Sequence, residues 1–147
     1  MADKELSRHA LINAYGASGT TAALETSVLD MNGFESVLFI AHSSVTSTAN
    51  VLAVLNGTAS TTGAGNFSQV FSPVGASQVT TGAVFADVYR PGKRFIQGSF
   101  NTSDATGTNK GLVAIRYGGR SLPTTQEAVT TGVRMYSPAS GTATSTG

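Results

Sequence analysis

The feature that most restricts this chain is a hydrophobic period of two. Its apolar residues fall in short runs with alternating character, and each run ends at a cluster of Gly, Ser, Thr or Asn. Successive side chains of a β-strand point to opposite faces, so each such run reads as one strand with a face to bury. In Phe34 to His42 (FESVLFIAH), Val37, Phe39 and Ala41 share one face, while Leu38 and Ile40 share the other. Both faces are apolar, which predicts a central strand covered on both sides. Val51 to Leu55 is a second strand, with Asn56-Gly57 as its closing turn. Residues 58–65 are a Gly/Ser/Thr loop, and Asn66 to Phe71 is a weaker strand with Phe67 and Phe71 as its buried residues. Ala10 to Tyr15 and Leu24 to Met31 are moderate strands, and Lys110 to Gly118 is a strong one.

Gly82 to Arg90 and Lys93 to Phe100 are predicted to form a hairpin around Pro91-Gly92, because Pro presets φ and Gly accepts a positive one. In that register Val84, Ala86 and Val88 share a face with Phe95 and Gln97. Asp87 becomes a diagonal neighbour of Arg94, suited to a cross-strand ion pair. Pro-Gly favours a type II turn, whose twist suits a two-residue hairpin poorly, so a wider loop also fits.

Helical signal is confined to a turn or two within residues 3–12 and to the short stretch Gln126 to Val129. Parallel β/α folds need long crossover helices, which this excludes. Seven or eight strands in 147 residues predict an all-β, single-domain β-sandwich, jelly-roll-like. Residues 1–9 form an N-terminal arm, 10–120 the sandwich and 121–147 a C-terminal extension. That extension is mainly Thr, Pro, Ser, Ala and Gly, with one apolar knot at Val133, Met135 and Tyr136. It is either a disordered tail or an arm that orders against a neighbouring subunit through Met135 and Tyr136.

Charged residues make up 12% of the chain, about half the roughly 25% usual in soluble domains. Hydroxyls take their place, with 37 Ser and Thr. Such a surface is wettable yet repels its neighbours weakly, which favours an assembly component. Net charge is +1 and the longest basic run is Lys93-Arg94, so a nucleic-acid partner is not expected. The absence of cysteine rules out disulfides and thiolate metal sites. No apolar run reaches the ~18 residues that span a bilayer, so no membrane partner is expected. The charged N-terminus lacks a secretory pattern, and synthesis in a cytoplasm is expected.

Catalytic patterns are sparse. His9 and His42 lack metal-ligand spacing, and His42 ends an apolar strand, where backbone bonding serves it. None of the 17 serines lies in a nucleophile elbow. Asp30 and Glu35 flank the turn Met31-Asn32-Gly33, where acids are ordinarily solvated and not paired across a cleft. Gly63 and Gly65 lie in a Thr-rich loop, and neither opens a helix that would cradle phosphate. No enzymatic activity and no cofactor is expected. The densest charges are Asp87, Arg90 and Arg94, read first as a pair that fixes register. Arg90, Arg94, Arg116 and Arg120 are also interface candidates, able to pair with carboxylates on a partner.

Three separated segments resemble a family of small virion structural proteins of tailed bacteriophages, the head decoration or cement proteins. They are Leu29-Asp30-Met31-Asn32-Gly33-Phe34-Glu35-Ser36-Val37 with Leu38-Phe39-Ile40, Asp87-Val88-Tyr89-Arg90-Pro91 with Lys93-Arg94-Phe95, and Val113-Ala114-Ile115-Arg116-Tyr117-Gly118. Ser137-Pro138-Ala139 with Gly141-Thr142-Ala143 resembles that family's C-terminus. The likeness runs in one order over residues 24–143, and its middle, 43–82, matches only in small-residue character. It implies a capsid decoration protein on the outer surface of the phage head, often a jelly-roll homotrimer at three-fold positions, with the major capsid protein and itself as partners. Alternatives are another virion component of tail, collar or fibre, and a carbohydrate- or receptor-binding β-sandwich. The last would present exposed aromatics, whereas this chain has no Trp and its aromatics lie mostly within strand patterns.

Overall fold

A computed structural model describes residues 9–16, 23–43, 51–61, 67–74, 82–101, 110–119, 134–136 and 144–146, with backbone alone for 67–74, 134–136, 144–146 and positions 16, 43, 82 and 110. Every regular element given by the described residues is a strand. The first sheet contains β1 (Ala10–Gly16), β4 (Ser36–Ser43), β7 (Gly82–Tyr89) and β9 (Lys110–Tyr117), in the order β1-β9-β4-β7. The second contains β2 (Ala23–Glu25), β3 (Leu29–Asp30), β5 (Val51–Gly57), β6 (Phe67–Val74) and β8 (Phe95–Asn101), in the order β2-β8-β5-β6 with β3 also on β8. All pairings are antiparallel. The protein is an all-β sandwich.

The pairing is nested. β1 pairs with β9, β2 and β3 with β8, β4 with β7, and β5 with β6. β2 and β3 are one strand interrupted at Thr26 to Val28, where one extra residue separates their registers on β8. Thr26 bridges that break. Its amide donates to the Gly98 carbonyl at 2.9 Å, and its hydroxyl accepts the Gly98 amide at 3.0 Å. The outermost strand β6 carries Pro73, which an edge position tolerates because one side of its backbone needs no ladder partner.

The core lies between the sheets. Val37, Phe39 and Ala41 of β4, Val84 and Ala86 of β7 and Leu112 and Ala114 of β9 come from one side. Leu24, Leu29, Leu52, Val54, Ile96 and Phe100 come from the other. Phe39 is flanked in register by Ala86 and Ala114, and the small neighbours give its ring room to reach the opposite sheet. Burial alternates along β4 and β7 as their period of two requires.

Three expectations are corrected. Gly82–Arg90 and Lys93–Phe100 are not a hairpin, because β7 and β8 lie in different sheets and residues 90–94 carry the chain across the sandwich. Consequently Ile96 and Phe100 face the core instead of Phe95 and Gln97. Gln97 is buried by other means, its side-chain amide donating to the Thr26 carbonyl at 3.0 Å. Asn56-Gly57 does not close β5 but belongs to it, paired with Ile96 and Phe95. β4 is central in its sheet, yet its outer side chains Leu38 and Ile40 are only half-buried. Within 121–147, β10 (Arg134–Tyr136) and β11 (Thr144–Thr146) pair as a short antiparallel ribbon.

Candidate functional site: a charged cleft and an apolar sheet face

The three segments 29–37, 87–95 and 113–118 converge at one end of the sandwich. The Met31 amide donates to the Arg94 carbonyl at 2.8 Å, the Glu35 amide to the Tyr117 carbonyl at 3.2 Å, and the Arg90 amide to the Glu35 carbonyl at 2.8 Å. The turn after β3, the crossing from β7 to β8 and the end of β9 are thereby tied into one unit.

Asp30 is its electrostatic centre. Arg94 donates to both carboxylate oxygens, through Nε at 2.9 Å and through Nη2 at 2.6 Å. Asp30 also accepts the Asn32 amide at 2.8 Å, an arrangement that fixes the turn. The Arg94 hydrogen bond holds the Asp30 carboxyl below its usual range, reinforced by the Asn32 amide and the charges of Arg94 and Arg116, although partial burial opposes them. The same bond raises the Arg94 guanidinium.

Arg116 is 6% exposed on the inner face of β9, beside Val37. Its Nη1 donates to the Asp30 carbonyl at 2.9 Å and its Nη2 to Asn13 Oδ1 at 3.1 Å, and its guanidinium lies 5.4 Å from the Phe34 ring centroid. A buried cation needs such partners, and here it joins β1, β3 and β9.

Arg90 is held differently. It is exposed, 3.8 Å from Glu35 and 5.0 Å from the Tyr89 ring centroid, with φ at 49°. Asp87 is not its register partner, nor that of Arg94. Asp87 accepts the Tyr117 hydroxyl at 2.6 Å on the outer face of the first sheet, while Arg94 has gone to Asp30. The predicted Asp87–Arg94 pair fails because Asp87 lies on β7 while Arg94 lies in the crossing that carries the chain to the other sheet.

Between the 31–35 turn and the 90–94 crossing lies an open cleft of about 490 Å³, lined by Glu35, Arg90, Lys93 and Arg94 among others. Four of the nine Lys and Arg residues gather at this end, counting Arg116, against three of the eight acids, Asp30, Glu35 and Asp87.

The outer face of the first sheet is apolar. Leu38 pairs with Ile115, Ile40 with both Val113 and Phe85, and Ile115 with Ile12. Phe85 is 66% exposed and Tyr89 63%, the large hydrophobic side chains most open to solvent among the described residues. The sequence reading placed these aromatics within strand patterns but not on an open face. The clue lay in the doubly apolar β4 run.

No protein-family model matches the chain, and no curated protein matches it. Its candidate site therefore rests on geometry. Of the interface candidates, Arg90 and Arg94 line the cleft, and Arg116 is committed to internal partners. Arg120 lies outside the described residues, as do the side chains of Met135 and Tyr136, whose backbone forms β10. Glu35 and Asp30 were missed as members of this cluster, since their partners stand more than fifty residues away in sequence. Among the described residues, no group of three or more His, Asp or Glu is gathered as a metal site would need.

Proposed function

We propose that this protein is a structural component of a tailed-phage virion, a decoration protein that sits on the outer surface of the head and stabilises the shell as a homotrimer. The observation that carries this reading is the apolar outer face around Leu38, Ile40 and Ile115, with Phe85 and Tyr89 standing out from it. A face of that kind is poorly matched to water and well matched to a second copy of the chain. A surface with little charge, 12% of residues, adds little repulsion between copies. The nested strand pairing supports reading the sandwich as a jelly roll, an architecture found among viral capsid domains. The resemblance of segments 29–37, 87–95 and 113–118 to head decoration proteins points the same way, and the major capsid protein is then the second partner. Three attachment points per trimer turn individually weak contacts into firm holding.

The test is the copy number of the chain in purified virions, measured by quantitative mass spectrometry, together with the heat resistance of particles that lack it. Hundreds of copies and earlier rupture of depleted heads are expected. Six or twelve copies would assign it to a portal, collar or tail. Intact resistance without it would remove the stabilising role. Replacing Phe85 and Tyr89 together by Ser is expected to shift the purified protein from trimer to monomer in light scattering, with its strand content in circular dichroism retained and its unfolding midpoint lowered by the lost association.

One observation favours a second reading. Phe85 and Tyr89 lie on one strand face with Asp87 between them, an arrangement able to stack on sugar rings, and jelly rolls also occur in lectins. Saturable binding on a glycan array, lost in the same double variant, would favour a carbohydrate-binding module.

A further inference from the structure

We propose that Arg90 is the docking point for a carboxylate side chain on the protein that this chain decorates, with Lys93 and Arg94 flanking it in the cleft at the crossing between the sheets. The inference rests on the assembly reading above and names the chemistry of one of its contacts.

The argument begins with the backbone. Arg90 has φ of 49°, which Gly adopts freely and which a residue with a Cβ adopts only against steric resistance. It is the single non-glycine residue with positive φ among the described residues. Its one short polar contact among the described residues, the amide donated to the Glu35 carbonyl at 2.8 Å, would be made equally well by Gly or Asn. The side chain returns little within the subunit. Its ion pair to Glu35 is long, at 3.8 Å, and the two side chains are 68% and 43% exposed, so water screens the attraction. The ring of Tyr89 at 5.0 Å adds a weak contact at an open site. An arginine held in a disfavoured conformation, with small internal return, marks a side chain whose partner comes from outside.

The charge around it specifies that partner. Arg90, Lys93 and Arg94 line the cleft with Glu35, and Arg94 is already occupied by Asp30. The excess is cationic but short, and Asp30 and Glu35 interrupt it. A row of phosphates would meet both of those carboxylates, whereas a single Asp or Glu side chain needs only the planar guanidinium of Arg90, which can bind it through two donors in place of the long pair to Glu35 at 3.8 Å. Closure of the partner over the cleft would exclude water and strengthen a pair that is weak in the isolated protein.

The experiment follows the Arg90 Nε–H resonance by NMR in the full chain during titration with a blocked triglutamate peptide, with trilysine and phosphoserine peptides as comparisons. A saturable shift with triglutamate, reversed by about 0.5 M salt and absent with trilysine, is the expected result, and the accompanying shifts of the backbone amides of residues 89–94 are expected to vanish in Arg90→Gln. No saturable shift, or one seen with phosphoserine and not with glutamate, would overturn the proposal. Arg90→Gly serves as the folding control: its denaturation midpoint is expected to rise, and a fall would show that the side chain serves the subunit itself. Binding of wild type and Arg90→Gln to phage heads lacking the protein separates the two readings. Weaker holding by Arg90→Gln, with at least a tenfold rise in Kd, supports both. Equal holding sinks the Arg90 contact and leaves decoration standing. Failure of the wild type to bind heads, while triglutamate still shifts Arg90, sinks decoration and leaves the carboxylate site.

Discussion

Phe39 and Gly98 meet face to face across the sandwich, so closely that a Cβ on Gly98 would lie 2.7 Å from the ring of Phe39. Phe39 is fully buried and cannot swing aside, and Gly98 is pinned on both backbone sides by Thr26. Gly98→Ala is therefore expected to destabilise the protein by about 1–3 kcal/mol through overpacking. Phe39→Leu in the same chain should recover part of that loss, since the two changes share one space. Urea denaturation of the single and double variants measures both. Additive losses would place the strain elsewhere.

Arg116 joins β1, β3 and β9 through Asn13 and the Asp30 carbonyl. Arg116→Met keeps most of the volume but removes those charged donors, at a cost of about 2–3 kcal/mol. Arg116→Lys should fail to rescue, because one ammonium does not span two acceptors and lie flat near Phe34 as well. Full stability of the Lys variant in chemical denaturation would contradict the bridging role.

Asp30 makes the fold acid-sensitive in a defined direction. Its folded carboxyl titrates below the unfolded value of about 3.9. The stabilisation from its pairing is thus complete above that value and is lost as the pH falls through the lower, folded one. Asp30→Asn is expected to lose less stability than the wild type between pH 4 and 2. At neutral pH the effect is small, since both partners are more than a third exposed. Urea midpoints at pH 7 and pH 2.5 show the difference, and parallel pH profiles would deny Asp30 this part.

Tyr117 carries the opposite sign. Its hydroxyl donates to Asp87, and that bond, with partial burial, raises its pKa above the usual value of about 10. The contribution is present below pH 10 and fades as the pH climbs through the raised value. Spectrophotometric titration of the four tyrosines should show a late component that disappears in Tyr117→Phe. The variant should lose about 1 kcal/mol or less at pH 7, because Asp87 is open to water once the bond is gone.

Alternation along the chain was enough to locate most strands. β1, β4, β7 and β9 begin and end within two residues of their sequence-based limits, since pointing in or out is a local property of each residue. Which residues share a face of β4 and β7 was legible for the same reason, but which face of β4 is the buried one was not. Partner choice was not. A backbone ladder forms equally between any two strands, and what selects β4 for β7, or β3 for β8, is the fit of inner side chains such as Phe39 between Ala86 and Ala114. Pro91-Gly92 announces that the chain turns, but the same pair serves a hairpin and a crossing to the opposite sheet. That crossing carried Arg94 away from Asp87 to Asp30, and set Arg90 in the left-handed conformation beside the cleft. Composition and period thus determine that this chain forms an all-β sandwich, while the open apolar face around Phe85 and Tyr89 came from the packing. Only the packing of residues distant in sequence decides which charges meet at its end, because those meetings depend on contacts that no local pattern encodes.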